Sequence, residues 1–390
     1  MTMKYIKILI AVVIIIIVIL LSAKYIFNVN PPISLTGSKY QGDLPLDSLQ
    51  LPEGFVINVY ADSVKNARSM CLSPDGTLFV GTRSEGNVYA LKDTDGDMKI
   101  DKKYLLLSGG NMPNGVAFLD GDLYVAEVNR IIKFENIESK LSNPGAPIVV
   151  YDKYPTEKHH GWKYIAFGPD GKLYVPVGAP CNICDSADKI YNSITRINPN
   201  GSNMEIVQSG VRNTVGFDWH PLTKELWFSD NGRDMMGDDV PECELNHAPK
   251  DSLHFGFPFC HQGDIPDPEF GKNRKCEEFI PPVSKMGPHT APLGLEFYTG
   301  TQFPEQFKNQ IFTARHGSWN RSKKSGYDIV LSTFNSDGTL KETKPFISGW
   351  LNPETDDVWG RPVDIELMPD GSMLISDDYA DVIYRVHYKG

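Results

Sequence analysis

The sequence predicts an all-β chain: a six-bladed β-propeller preceded by one N-terminal transmembrane or signal helix. Three observations predict it. A hairpin pattern recurs along the chain, mostly at intervals of about 45–60 residues, the period at which one four-stranded blade follows another. Glycine and proline are abundant, 34 and 28 of 390 residues, as many tight turns require. Beyond the first 27 residues aromatic residues are plentiful, while long helical periodicities are hard to find.

The repeated unit is clearest at Phe167–Val175, where apolar residues flank Gly168-Pro169-Asp170-Gly171. Proline presets φ in such a turn and glycine supplies φ > 0, so the stretch reads as strand, turn, strand. Similar units stand at Leu72–Val80, Phe118–Val125, Trp219–Phe228 and Leu367–Ile375, with a weaker one at Phe307–Thr313. A further strand follows most of them, such as Asn87–Leu91, Arg130–Phe134 or Val382–His387. Each blade buries its faces only against its neighbours, so the ring has to close. The strand read over 54–60 is expected to complete the last blade and fasten the circle. A two-sheet sandwich is the alternative, but it does not predict so regular a repeat.

Residues 1–27 form the leader. Residues 8–21 carry no polar side-chain atom, with Lys4 and Lys7 before them and Lys24 after. The run is shorter than the ~20 residues of an average membrane span, a difference that snorkelling lysines and Tyr25-Ile26-Phe27 can make up. The positive flank puts the N-terminus in the cytoplasm. An uncleaved anchor is the expectation and a cleaved signal peptide the rival; Leu21-Ser22-Ala23 lacks the first small residue of a cleavage site. Either reading places the globular part outside the cytoplasm. Residues 28–50, polar and rich in Pro, Gly and Ser, read as a linker, and residues 51–390 as the propeller. A loop-rich insertion at about 230–300 is expected to cap one face.

Six cysteines in an exported chain favour disulfides. Cys181 is expected to pair with Cys184, since no second Cys-x-x-Cys is present to complete a zinc site, and Cys260 with Cys276 across the insertion. The net charge of −11 and the lack of a basic run speak against a nucleic-acid partner. Asp93, Asp95, Asp97 and Asp101 alternate around Gly96 like a calcium loop but lack its distal bidentate glutamate; an acidic hairpin turn is the simpler reading.

Chemistry is expected in loops that occupy equivalent places in the repeat. His159-His160 stands ahead of the third unit, Arg212-Asn213 ahead of the fourth and Arg361 ahead of the sixth. Asp230-Asn231-Gly232-Arg233-Asp234 follows the fourth, and Arg315-His316-Gly317-Ser318-Trp319-Asn320-Arg321 the fifth. Equivalent loops of a propeller share one rim, so His160 and Arg212 are expected at one central cavity. Arginines beside a histidine suit a polyanionic ligand next to a base. Singly, each is also an ordinary surface or capping residue.

These segments together resemble the soluble glucose/sorbosone dehydrogenase family over about residues 51–388. The residues that carry the resemblance are His160-Gly161-Trp162-Lys163, Gly210-Val211-Arg212-Asn213, Asp230–Asp234 and His316–Arg321. Phe257–His261 and Pro288–Pro292 look nearest to its sorbosone dehydrogenase-like branch. The resemblance implies a six-bladed propeller holding pyrroloquinoline quinone (PQQ) and Ca2+, with a sugar as substrate and a membrane quinone or small redox protein as electron acceptor. By the same resemblance His160 is the general base, while Arg212 and Asn213 hold the quinone. Arg361 contacts a cofactor carboxylate, and the carbonyls of Gly232 and Arg233 bind calcium. Where the family has a cofactor lysine, Arg315 or Arg321 stands as the nearest substitute. His159 takes the place of an acidic residue that orients the base, and Arg233 that of a proline. A metal-dependent lactonase-like propeller and a non-catalytic binding propeller are the alternative readings.

Overall fold

The computed structural model describes residues 3–27, 29–30, 40 and 42–390. Six blades of four antiparallel strands follow one another, and in the first five these strands lie in chain order from the inside of the ring outwards. Blade 1 is built from Ala67–Leu72, Leu78–Thr82, Val88–Lys92 and Lys102–Leu107. Blade 2 contains Gly115–Leu119, Asp122–Ala126, Ile131–Phe134 and Ile148–Tyr151. Blade 3 contains Ala166–Phe167, Leu173–Val177, Ser193–Ile197 and Glu205–Ser209. Blade 4 contains Phe217–Trp219, Leu226–Asp230, Glu242–Ala248 and Ser284–Pro288. Blade 5 contains Pro292–Phe297, Ile311–Arg315, Asp328–Phe334 and Leu340–Ile347. Blade 6 takes three strands from the C-terminal end, Pro362–Leu367, Met373–Asp377 and Val382–Tyr388. Its fourth is the N-terminal Phe55–Ala61, paired Phe55 to Tyr388 and Val59 to Tyr384.

The turn chemistry explains the repeat. The first hairpin of every blade passes through a left-handed residue, Gly76, Gly121, Gly171, Lys224, Asn309 or Gly371, with φ between 58° and 91°, and that of blade 2 has Asp120 there as well, at 50°. Glycine meets this at no steric cost, and asparagine tolerates it. Blades 4 and 5 use Lys224 and Asn309 there in place of glycine, and the unit of blade 5 is the one whose sequence signal is weaker. The second strands are buried along most of their length, Leu78–Thr82 and Leu173–Val177 along all of it. They are sandwiched between neighbouring blades, and the apolar core accordingly divides into inter-blade clusters.

The insertion is narrower than expected, because blade 4 claims Glu242–Ala248 and Ser284–Pro288. Between them, Leu253–His254 adds a parallel fifth strand to blade 3 beside Glu205–Ser209. The insertion thus stitches blades 3 and 4 along their outer edge, and its Phe255–His261 segment approaches the site rim, beside Arg212 and Gly232. Both expected disulfides are present, Cys181–Cys184 and Cys260–Cys276, and Cys71 and Cys243 remain thiols.

The leader departs from expectation. A helix runs over Met3–Phe27. Among the described residues, however, no helix is long and apolar enough to cross a membrane, so the anchor expected from the sequence lacks structural support. Part of the expected linker, 31–39 with 28 and 41, lies outside the described residues. Of the remainder, Gln50 docks on blade 5 through a two-way backbone bridge to Ser348.

Candidate functional site

The inner strands run from one rim of the ring to the other. At the rim where they begin, a cavity of about 400 Å³ opens at the axis. His160 and Trp162 enter it ahead of blade 3, Arg212 and Asn213 ahead of blade 4 and Arg361 ahead of blade 6. Gly232 and Asp234 come from the loop after the second strand of blade 4, and His316 and Trp319 from the matching loop of blade 5. The equivalence of loops in the repeat thus brings residues far apart in sequence to one place.

His160 sits in a left-handed conformation, φ 49°, that turns its ring inwards. The turn behind it is possible only with Gly161, where a Cβ would lie 2.2 Å from the Glu157 carbonyl oxygen. Gly178, just past the second strand of blade 3, leaves room for His160 in turn, since a Cβ there would lie 2.6 Å from that of His160. The ring Nδ1 is 2.9 Å from the Ala179 carbonyl. A carbonyl only accepts, so Nδ1 carries the proton and Nε2 keeps its lone pair. Burial, then the Arg212 charge and His159, hold the His160 pKa well below the usual imidazole range. At neutral pH it is a neutral base.

Arg212 is buried and richly held. Its Nε donates to the Asn182 carbonyl at 3.0 Å, one terminal nitrogen to the Asn231 carbonyl at 3.1 Å, and the other to Asn182 Oδ1 at 2.8 Å and Asp234 at 3.3 Å. Its backbone N–H and that of Asn213 both reach the Asp230 carboxylate, at 2.8 and 2.6 Å. Burial lowers the Arg212 pKa, but a guanidinium remains charged.

The far wall is a chain of fixed polarity. Arg361 donates to His316 Nδ1 at 2.8 Å, and His316 Nε2 lies 2.8 Å from Asp378. Since arginine only donates, Nδ1 accepts and Nε2 donates to Asp378. Burial and the adjacent Arg361 push His316 down to about 3. Both of its nitrogens are committed, so it is a support and not a second base. Asp378 also pairs with Arg68 at 2.6 Å. Arg68 and Arg83, which also line the cavity, are the residues that sequence reasoning missed. Arg68 lies inside an innermost strand, and Arg83 follows a second strand in the same way as Arg233 and His316. Only the second position was open to the loop argument.

The cavity has a cationic excess. Four arginines line it, and Asp234 is the single carboxylate among the lining residues. The Arg83 guanidinium stacks on Trp162 at 4.6 Å. The Trp162 Nε1–H is buried with no hydrogen-bond partner among the described residues. An unmet buried donor beside stacked cations is what an anionic, oxygen-rich planar group would satisfy.

Other expected site residues lie elsewhere. Arg315 is spent on both oxygens of Asp328 and on the Met286 carbonyl. Arg321 reaches the Asp238 carbonyl and Asp239. Neither lines the cavity, so neither substitutes there for the family's lysine. The Arg233 side chain turns away to Asp267 at 2.5 Å, which leaves only its carbonyl as a possible metal donor. Among the described residues no hydrogen bond reaches the carbonyl of Gly232 or of Arg233. In the outlying Asp93–Asp97 turn, Asp93 is satisfied by the N–H groups of Gly96 and Met98, at 2.7 and 2.9 Å.

At the opposite rim the inner strands end in carboxylates. Asp218, Glu296 and Glu366, from blades 4, 5 and 6, border a second cavity of about 250 Å³. Asp364 lies behind them, 2% exposed; one of its oxygens accepts from Met70 N–H at 2.8 Å and the other has no partner among the described residues. Burial pushes Asp364 up to about 7 and raises the other three as well.

Several solved structures share this ring. A Trichoderma reesei protein of Carbohydrate-Active Enzymes Family AA12 superposes with a TM-score of 0.78 at 18% identity, covering 89% of this chain and 99% of its own. The PQQ domain of a Coprinopsis cinerea pyranose dehydrogenase gives 0.73 at 14% identity, with 89% and 97% coverage. A PQQ-bound aldose sugar dehydrogenase from Streptomyces coelicolor gives 0.60 at 19%, with 87% and 99% coverage. At these identities the likeness establishes the fold. In sequence, a Coprinopsis cinerea PQQ-dependent pyranose dehydrogenase matches at 32% identity over 68 residues, which is 17% of this chain but 8% of that protein. A Borreliella burgdorferi protein described as uncharacterized is 32% identical over 364 residues, 88% of this chain and 91% of its own length. The family described as Domain of unknown function (DUF7133) matches residues 43–388, the whole ring with its site, and this chain belongs to that family.

Proposed function

We propose that this chain is a quinoprotein sugar dehydrogenase, an oxidoreductase that removes a hydride and a proton from a sugar hydroxyl or hydrated aldehyde. The observation that carries the reading is the neutral His160, its Nδ1 pinned and its Nε2 free, in a cavity lined by four arginines. His160 Nε2 takes the proton from the substrate oxygen. Arg212 stabilises the negative charge that develops nearby, and its fixed hydrogen bonds spare it any reorganisation during the reaction. Arg68, Arg83 and Arg361, with the unmet Trp162 N–H, suit the carboxylates and carbonyls of pyrroloquinoline quinone. When bound, that quinone supplies the two-electron acceptor. The unengaged carbonyls of Gly232 and Arg233 are hard oxygen donors suited to Ca2+.

A lactonase-like site wants several carboxylates converging on the axis, and this cavity offers only Asp234. The sorbosone-like branch rests on the Phe257–His261 and Pro288–Pro292 segments alone. Export, a membrane contact and a quinone or small redox protein as electron acceptor rest on the leader's sequence and on the resemblance.

The test is to reconstitute the chain with pyrroloquinoline quinone and Ca2+ and screen aldoses with a dye acceptor. His160→Ala is expected to lower turnover by roughly 10²–10⁴-fold with cofactor binding largely kept. Undiminished turnover would remove His160 from its role, and failure of the wild-type chain to bind the quinone would overturn the reading as a whole.

A further inference from the structure

Just past the second strand of blade 3 the chain makes an excursion that begins Gly178-Ala179-Pro180-Cys181-Asn182-Ile183-Cys184. Its first turns touch both working groups of the site. The Ala179 carbonyl accepts from His160 Nδ1 at 2.9 Å, and the Ala179 N–H donates to the Arg212 carbonyl at 2.8 Å. The Cys181 backbone meets the His159 ring.

Asn182 does most. Its main-chain carbonyl and its side-chain oxygen hold two different nitrogens of the Arg212 guanidinium, at 3.0 and 2.8 Å. The same side-chain oxygen accepts from the Asp234 N–H at 2.9 Å, and its amide donates to the Asp234 carbonyl at 3.0 Å. A short side chain carrying both an acceptor and a donor is needed for this clasp: aspartate lacks the donor, and glutamine shifts both groups by a methylene. Asn182 in turn lies inside the ring closed by Cys181 and Cys184, so a covalent bond limits its backbone freedom.

We propose that this loop is the positioning strap of the site: Asn182 is the positioning residue that holds the Arg212 guanidinium, and the Cys181–Cys184 disulfide holds Asn182. The inference rests on the reading of His160 and Arg212 as the working pair. It follows that the site is complete only with the bridge closed. A dithiol that opens the bridge gives up two electrons and two protons: the S–S bond becomes two thiols, and the reductant becomes a disulfide. The bridge is half-exposed, within reach of such a reagent.

The test compares the full chain with Asn182→Ala and with Cys181→Ser/Cys184→Ser, by two readouts. The first needs no cofactor: nitrogen NMR of labelled histidine, with His160 assigned through His160→Gln, reports its tautomer and titration. The charges facing His160 are those of Arg212 and, when protonated, His159. Loss of the clasp lets the guanidinium drift, so the His160 titration is expected to move up towards the ordinary imidazole range in both variants. The second readout is turnover of the chain reconstituted with pyrroloquinoline quinone and Ca2+. It is expected to fall ~10²-fold in Asn182→Ala, the usual cost of misplacing a reacting group by about an ångström, with the acid limb of its pH profile shifted the same way. Should Asn182→Ala fail to fold, the serine pair, which leaves Asn182 in place, carries the test. A His160 titration and turnover that match wild type in the variants overturn the strap and leave the dehydrogenase reading standing. A wild-type chain without turnover whose His160 titration still moves in the variants overturns the dehydrogenase reading and leaves the strap standing.

Discussion

Raising the pH should destabilise this propeller, and Asp364 should account for much of the effect. Its carboxyl is 2% exposed and accepts from the Met70 N–H, and one of its oxygens has no side-chain or long-range partner among the described residues. Ionising it there is costly, so the folded chain holds its proton up to about 7 against an ordinary 3.8. Between those values the folded state binds more protons than the unfolded state, so stability falls as pH rises through the window and levels off above it. A difference of about three pKa units at ~1.4 kcal/mol each is roughly 4 kcal/mol, a large share of the ~5–15 kcal/mol of a typical domain. Glu296, Glu366 and Asp218 act in the same direction. Asp364→Asn keeps the shape and the acceptor for Met70 and removes the charge. Denaturant unfolding from pH 5 to pH 8 at fixed ionic strength covers about two of those units, so the wild type should lose stability and the variant should lose about 3 kcal/mol less. Equal slopes in the two proteins, or a wild type that gains stability over this range, would refute the argument.

Three further outcomes are expected. Gly178→Ala places a Cβ 2.6 Å from that of His160, so turnover should fall by ~10²-fold, with a loss of about 1–3 kcal/mol visible in the thermal melt. Arg315→Ala should cost about 3 kcal/mol by stranding Asp328, visible in chemical denaturation, without weakening quinone binding, whereas Arg361→Ala should weaken that binding. Trp162→Phe keeps the ring under Arg83 and removes the unmet N–H; a roughly tenfold loss in quinone affinity by fluorescence titration is expected.

The ring was legible because its hairpins need a left-handed residue, and four of the six supply it as glycine. The rim was legible because loops at one point of the repeat must converge, which placed His160, Arg212 and Arg361 together. Arg68 escaped because it belongs to a strand, where the pattern speaks of burial and not of facing. Arg315 and Arg321 were drawn in by their neighbourhood. Only the coordinates show that Asp328 and Asp239 had already claimed them, since ion pairing depends on cross-strand and loop partners that a linear reading does not reveal. The carboxylates at the opposite rim occupy ordinary strand positions, where nothing local marks them as buried.

The seam of blade 6 has a consequence for biogenesis. Phe55–Ala61 finds its partner only in Val382–Tyr388, so a chain emerging from its N-terminus carries an unmatched edge until synthesis is almost done. Phe55, whose ring meets Phe303, Phe307 and Phe346, stays bare for most of that time. Contacts between such distant stretches form slowly, and an exposed strand is prone to wrong pairing while it waits. Loss of only the final strand would therefore remove more than one strand's worth of structure: it would unlatch the circle and release the oldest part of the chain together with the youngest.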